Sequence, residues 1–475
     1  MMNTKLKTGF IFTSLGIYSN FLLQIIIQMV LSRLLTPKQF GLVAVMQVFI
    51  IFFAMMIESG MGPAIIQNKL LTFEDNRVLF DFSALFGLSI AVIFGFFGIV
   101  LAILYHNHDF YFLTWVQAIS IFFNGLNIVP TAILNKAKRF KAVNFSLVLA
   151  NLCAGIIGVT LAFLGGGVYA LIISAITASI INFLLNHFFS KVTFTRHFNM
   201  APLKSVWTFS KNQFGFNFVN YFSRNSDNML IGKFMGEAAL ANYSKAYQLL
   251  MLPNTLFTSV VNPVLQPVLS EYQDDVDYIR QVYFKIVHIL ALIGIPLSIF
   301  LSTTARQIIL CMFGGQWSAA IFPFSILSIT VWSQMIVTPV GAIFQARNHS
   351  RKLWVTGLFT ASGLVSSIII GVLLGSINTV AICLTIGFLY SFCVNYYRLI
   401  KHSLNGKLLD FFKEFITPVI LGGVIFIVLE LEKFIDPSNL FYSLILRGVI
   451  FIFAWLLFIF FSSERKVITE IIKKR

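Results

Sequence analysis

The sequence predicts an all-α polytopic membrane protein with about fourteen transmembrane helices. Three observations carry that expectation. Of its 475 residues, 58% are hydrophobic and 11% are charged, whereas soluble chains are about 45–50% apolar and about 25% charged. The apolar residues gather in runs of about 20 or more, the length that crosses a hydrocarbon core. These runs lack the alternation of a membrane barrel, which leaves helices as the spanning form. Disorder, a secreted disulfide scaffold and a soluble enzyme are excluded on the same grounds.

In chain order the runs lie near 9–32, 40–66, 78–104, 111–135, 142–164, 167–190, 205–232, 237–268, 278–304, 318–345, 351–374, 377–397, 411–431 and 440–462. Asn20, Gln24 and Gln28 interrupt the first run and no small-residue cleavage site follows it, so it reads as a span and not as a signal peptide. The loops are short and leave no room for a soluble domain. Cys153, Cys311, Cys383 and Cys393 fall in or beside spans without metal-ligand spacing and read as small packing residues. No cofactor is expected.

The net charge of +16 is located by the distribution of its 34 Lys and Arg. With the N-terminus inside, 24 fall in cytoplasmic segments or at the cytoplasmic ends of spans, 5 in outer loops and 5 deeper within spans. By the positive-inside rule this places both termini in the cytoplasm and requires an even number of spans. The cluster Lys136, Lys138, Arg139 and Lys141 therefore reads as a topology anchor, and the basic excess does not point to nucleic acid. The acidic loop from Glu271 to Asp277 is compatible with the cytoplasmic side, because acidic residues contribute little to orientation.

A shift of 200 residues overlays the spans without a gap. Asn20 falls on Asn220, Arg33 on Lys233, Phe40 on Leu240 and Gly41 on Ala241. Pro130 with Ala132-Ile133-Leu134-Asn135 parallels Pro339 with Ala342-Ile343-Phe344-Gln345. Such internal symmetry points to a transporter. The expected organisation is an N-terminal six-helix lobe (1–200), a parallel six-helix lobe (201–402), and two extra helices with a basic tail (403–475).

Polar stripes within the spans supply the candidate site. Gln213, Asn217, Asn220, Arg224 and Asp227 fall within about 80° of arc on the seventh span. Thr13, Asn20, Gln24 and Gln28 repeat the stripe more mildly on the first. Neither stripe can face lipid; the two either line a wet cleft or pack as helix–helix glue. Five cations lie in spans, each costing roughly 2.5–3.5 kcal/mol on insertion scales. Lys285 and Lys211 are shallow enough to snorkel. Arg224 and Lys245 each lie eight residues below the outer end of a span, about 12 Å down, and Arg447 sits at similar depth. Arg224 could pair with Asp227 one turn on, yet Lys245 has no acid nearby in sequence. Excess positive charge at one level suits an anionic cargo. Glu58, deep in the second span, is a candidate for a coupling proton or cation, or for a structural ion pair. His106-Asn107-His108-Asp109 resembles a metal cluster, but one short loop lacks the separated ligand pairs of structural sites and reads as a solvated turn.

Several segments resemble bacterial polysaccharide repeat-unit flippases of the multidrug/oligosaccharidyl-lipid/polysaccharide exporter superfamily. They are Leu31-Ser32-Arg33-Leu34-Leu35-Thr36-Pro37-Lys38-Gln39-Phe40-Gly41-Leu42, the stretch from Glu58 to Gln67, and Asp227 to Phe234. Tyr243-Ser244-Lys245-Ala246-Tyr247-Gln248-Leu249 and Phe313-Gly314-Gly315-Gln316-Trp317 complete the likeness, which runs over roughly residues 5 to 400. It is nearest the subgroup handling lipopolysaccharide, colanic-acid-like or teichuronic-acid-like polymers, where Asp is common at the position of Glu58.

The resemblance implies two lobes around a central cavity, alternating access, and an undecaprenyl-pyrophosphate-linked oligosaccharide as cargo in the bacterial cytoplasmic membrane. Polymerase and chain-length machinery are its implied partners. Arg224 and Lys245 would meet pyrophosphate or acidic sugars, and the stripe amides would bind sugar hydroxyls. Two alternatives stand beside this expectation. A drug or cation antiporter of the same superfamily typically has twelve spans, which the final pair argues against. A membrane glycosyltransferase or polymerase would need a positioned acid–base pair or a large outer domain, and neither is present in the sequence.

Overall fold

Several helices begin where the sequence supplies a cap. Thr36 accepts from the Gln39 amide through Oγ1 (3.4 Å), while Gln39 Oε1 accepts from the Thr36 amide (2.8 Å). Pro37 at the first helical position lacks the N–H that would otherwise go unmet. Thr72 and Asp75 form a second reciprocal box before a long helix. Asp275, from the acidic loop, accepts from the Tyr278 amide (2.9 Å) and starts a third.

A computed structural model describes residues 4–58, 61–68, 70–195, 221, 225–432, 439–462 and 464–465, with side chains for all except 4–17, 256–264 and 266–268. Among the described residues there is no β-strand. Ten helices among the described residues are long and apolar enough to cross a membrane, or eleven if a pair bent by 51° counts as one span. The protein is an all-α, multi-pass membrane protein.

One compact unit comprises Met1–Ala241. It contains α1 (Thr4–Leu34), α2 (Pro37–Glu58), α3 (Met61–Gln67), α4 (Phe73–Tyr105), α5 (Phe110–Lys136), α6 (Phe140–Phe163), α7 (Val168–Ser190), α8 (225–235) and the first turn of α9 (Glu237–Ser270). Gly87 and Gly125 let α4 and α5 meet backbone to backbone: a Cβ on Gly125 would lie 3.0 Å from the Gly87 Cα. Small residues at such crossings replace the hydrophobic drive that lipid removes. Ser120 and Ser179 hydroxyls join α5 to α7 at 2.7 Å. Pro130 is buried in an unbroken α5. The basic cluster closes helix ends: Arg139 donates to the Phe189 carbonyl (2.8 Å) and Lys136 to that of Asn68 (2.7 Å).

The other unit comprises Asn242–Arg475. Beyond the rest of α9 it holds α10 (Val276–Thr303), α11 (Ala305–Phe313), a 3₁₀ turn (Gly315–Ala320), α12 (Ile321–Ser328), α13 (Val331–Val337), α14 (Val340–Ala346), α15 (Ser350–Leu373), α16 (Ile377–His402), α17 (Leu408–Lys413), α18 (Ile416–Glu432) and α19 (Leu440–Phe461). The expected tenth span is thus broken, and Pro339 stands at the α13–α14 break while its counterpart Pro130 lies inside a continuous helix. The last two helices pack on α10 and α11 of this unit. Leu292 on α10 joins Leu421, Ile425, Leu429 and Ile459 in one apolar cluster, and the Trp455 indole donates to the Leu292 carbonyl (3.1 Å). α19 buries only 11% of its apolar window against 56% for α2 with α3, so its outward face is left for lipid.

Candidate functional site

Lys245 is the best-defined predicted site residue. It lies on α9, about two turns from Glu237, and is 4% exposed. Its ammonium sits 4.8 Å from the Phe313 ring centroid and 5.4 Å from that of Trp317. Both rings are buried. The Phe-Gly-Gly-Gln-Trp segment builds this cradle because Gly314 has φ +95°, a conformation a Cβ resists, and so turns the chain between the two rings. Aromatic faces attract a cation by about 0.5–2 kcal/mol, more as water is removed. The cradle therefore offsets part of the cost of burying an ammonium. Spacing alone did not reveal it, since Lys245 and Trp317 are far apart in sequence.

The other predicted residues divide by unit. Asp227 is buried on α8, where its Oδ1 accepts from the Asn228 amide (2.8 Å). Gly232 brings α8 close to Tyr105, whose ring carbon would lie 3.0 Å from an added Cβ. Asn20 accepts from Asn151 Nδ2 on α6 (2.7 Å), which is helix–helix glue. Gln24 is exposed on α1, and Glu58 is exposed at the end of α2. Gln213, Asn217, Asn220 and Arg224 lie outside the described residues.

Around the loop of His106, the residues expected to form a solvated turn do structural work. His106 ends α4 in the left-handed conformation, and Asn107 donates to Glu237 Oε1 (2.7 Å). Gly41, in the segment after the first span, faces the backbone of the same Glu237, where an added Cβ would overlap the carbonyl. Among the described residues, no group of three or more His, Cys, Asp or Glu is arranged to hold a metal ion.

Arg447 requires a correction. Its expected place among the deep cations ignored Glu432, whose carboxylate lies 2.7 Å from the guanidinium. The side chains are 4% and 1% exposed, and Arg447 also donates to the Thr303 carbonyl (3.0 Å). It is a buried structural ion pair. A signal was present in the sequence: Glu432 stands seven residues before Asn439 and Arg447 eight after it, at matched depth on an antiparallel pair.

Solved structures share the fold. The fold is similar to that of the lipid II flippase MurJ in an inward closed conformation, with a TM-score of 0.73 at 16% identity over 96% of this chain and 100% of the other. An inward-facing multidrug resistance MATE family transporter of the MOP superfamily matches with a TM-score of 0.61 at 15% identity, over 80% of this chain and 94% of the other. At such identities the likeness establishes the fold alone. The family follows from the sequence: residues 30–322 match the polysaccharide biosynthesis protein family, and the chain belongs to it. Relatives include the teichuronic acid biosynthesis protein TuaB of Bacillus subtilis, 24% identical over 90% of each chain. The lipopolysaccharide biosynthesis protein WzxC of Escherichia coli is 21% identical over 80% of this chain and 77% of its own. A membrane protein of the cps region of Klebsiella pneumoniae is 23% identical over 98% and 97%.

Proposed function

We propose that the protein flips a polyprenyl-pyrophosphate-linked oligosaccharide repeat unit from the cytoplasmic to the outer leaflet of the bacterial cytoplasmic membrane, by alternating access, for lipopolysaccharide or exopolysaccharide assembly. The observation that carries the reading is the buried Lys245 ammonium held against the rings of Phe313 and Trp317. A sugar–pyrophosphate head loses its water on entering hydrocarbon, at a cost of several kcal/mol per unmet polar group. A cation at depth and flanking amides replace part of that hydration while the polyprenyl tail stays in lipid. Membership of the polysaccharide biosynthesis family and the names of the relatives support the same cargo class. In this reading Arg224 joins Lys245 on the anionic head, and Asn20, Gln24, Gln213, Asn217, Asn220 and Asp227 serve the sugars. Glu58 is the candidate for ion coupling, both termini are cytoplasmic, and the flipped unit passes to a polymerase with its chain-length partner. The protein itself performs no bond chemistry.

The test is complementation of a deletion strain, with lipid-linked oligosaccharide extracted and quantified. Wild type clears the accumulated intermediate, and Arg224→Ala and Lys245→Ala leave it accumulated at normal protein levels. Full export by both variants refutes the site. A deletion strain that accumulates no lipid-linked oligosaccharide but gains drug sensitivity refutes the cargo and favours an antiporter.

A further inference from the structure

His288 on α10 is held between two glutamates that bracket the C-terminal helix pair. Its Nδ1 lies 2.9 Å from the backbone carbonyl oxygen of Glu414 and 3.2 Å from the Glu414 carboxylate. Its Nε2 lies 2.9 Å from Glu464 Oε2. Glu414 precedes α18 and Glu464 follows α19, so both contacts fall at the end of the pair opposite Arg447 and Glu432.

Proton counting follows from the atoms. A carbonyl oxygen only accepts, so Nδ1 must carry a hydrogen. Nε2 and Oε2 are both acceptors unless one is protonated, so the 2.9 Å contact also requires a hydrogen. Either the ring is an imidazolium or Glu464 is a carboxylic acid. In both forms the cluster contains one proton more than a neutral imidazole with two carboxylates. Removing it sets the Nε2 lone pair against carboxylate lone pairs where the two side chains are 15% and 7% exposed, so water does not readily take over the lost bond.

Neighbouring charges are engaged elsewhere or face away. On α10 itself, Arg280 pairs with Asp277 (2.6 Å), Tyr283 bonds Tyr396 (2.9 Å), and Lys285 is exposed. On α17, Lys413 pairs with Asp410 (2.9 Å). Arg465 lies over the Phe460 ring at 4.8 Å. α12 and α13, which also pack on α10, contain no titratable side chain; Arg306 and Cys311 of α11 belong to the far end of α10, as do Glu430, Glu432 and Arg447. The basic residues from Lys466 onward lie outside the described residues.

We infer that His288, Glu414 and Glu464 form a proton-binding site, and that the bound proton ties one end of the C-terminal helix pair to α10. The opposite end is fixed by the buried pair of Arg447 and Glu432, 2.7 Å apart. Proton loss then loosens one end of the pair and leaves the other anchored.

The test is thermal unfolding of the full chain in lipid nanodiscs at about pH 6 and about pH 10, on either side of histidine's neutral-pH titration. The folded site keeps a proton that an unfolded histidine gives up, so wild type loses stability as pH rises. Glu464→Gln provides the contrast: its amide donates to Nε2 and closes the contact without a proton. Wild type is expected to lose roughly 3–10 °C more than Glu464→Gln over this interval, from one charge-assisted bond in a unit of this size. Parallel profiles for the two proteins overturn the inference. His288→Gln, where it folds, is expected to lack the wild-type step, and a full step in that variant also overturns it; where it does not fold, the first comparison decides.

Discussion

Replacing Arg447 alone should be far more damaging than replacing it together with Glu432. The guanidinium and carboxylate are 2.7 Å apart with side chains 4% and 1% exposed, so either partner left behind is a charge without water. Breaking such a pair from one side costs about 3–5 kcal/mol, whereas exchanging both partners for apolar groups of similar volume is often neutral or better. Arg447 also donates to the Thr303 carbonyl at 3.0 Å, and losing that bond adds about 1 kcal/mol to any variant without the guanidinium. Arg447→Met should therefore lose about 4–6 kcal/mol, Glu432→Leu about 3–5 kcal/mol, and the double variant about 1 kcal/mol. A double-mutant cycle by denaturant unfolding in lipid discs measures the coupling. A double variant as unstable as the singles refutes the pair. Polymer export supplies the second readout: a stable double variant should export, and one that folds normally yet fails to export would return Arg447 to the cargo path.

Three further outcomes are expected. Trp317→Leu retains bulk but removes the aromatic face 5.4 Å from Lys245, so export should fall several-fold at matched protein level, as about 1 kcal/mol of cation–π attraction implies; unchanged export removes the ring from the mechanism. Gly41→Val places side-chain atoms on the Glu237 backbone and should cost about 1–3 kcal/mol by overpacking, read as a lowered unfolding midpoint; an unchanged midpoint rejects the close approach. His349, before α15, bonds Ser403 at 2.8 Å, and burial followed by the nearby Lys352 and Arg347 pushes its pKa below the usual histidine range. The unfolded chain then binds the proton more readily, so this contribution is present above the ordinary histidine range and fades as pH falls toward the lowered value. His349→Gln should flatten the acid limb of the unfolding midpoint, and an identical limb in wild type and variant rejects the assignment.

Fold class was legible because hydropathy alone dictates it: an apolar run of sufficient length in a chain this hydrophobic has only a helix to form. The Thr36-Pro37-Lys38-Gln39 start of α2 was equally local, since cap, first-turn proline and third-position amide lie within four residues. What escaped were contacts between distant segments. Asn20 read equally as cleft lining or as helix–helix glue, and the partner that decides for glue, Asn151, is 131 residues away. Lys245 looked bare because no acid lies near it in sequence, yet the rings over it come from a turn that Gly314 permits far along the chain. The break between α12 and α13 also escaped hydropathy, which sees one apolar run where the backbone bends by 51°. His288 sat unremarked in a span because Glu414 and Glu464 reach it from beyond the ends of two other helices.

These contacts sort the intramembrane charges by what each neighbour does to them. A carboxylate at 2.7 Å cancels the charge of Arg447, and a cancelled charge exerts little pull on an approaching anion. An aromatic ring acts differently. It stabilises an ammonium through a fixed quadrupole while contributing no net charge of its own. Phe313 and Trp317 therefore lower the cost of burying Lys245 without themselves supplying a counter-charge. Substituting an acid for Trp317 should separate the two effects. Trp317→Glu would still hold Lys245, now as an ion pair, and the protein should fold while failing to clear lipid-linked oligosaccharide. A Trp317→Glu variant with wild-type export would mean that the charge of Lys245 plays no part in moving the cargo.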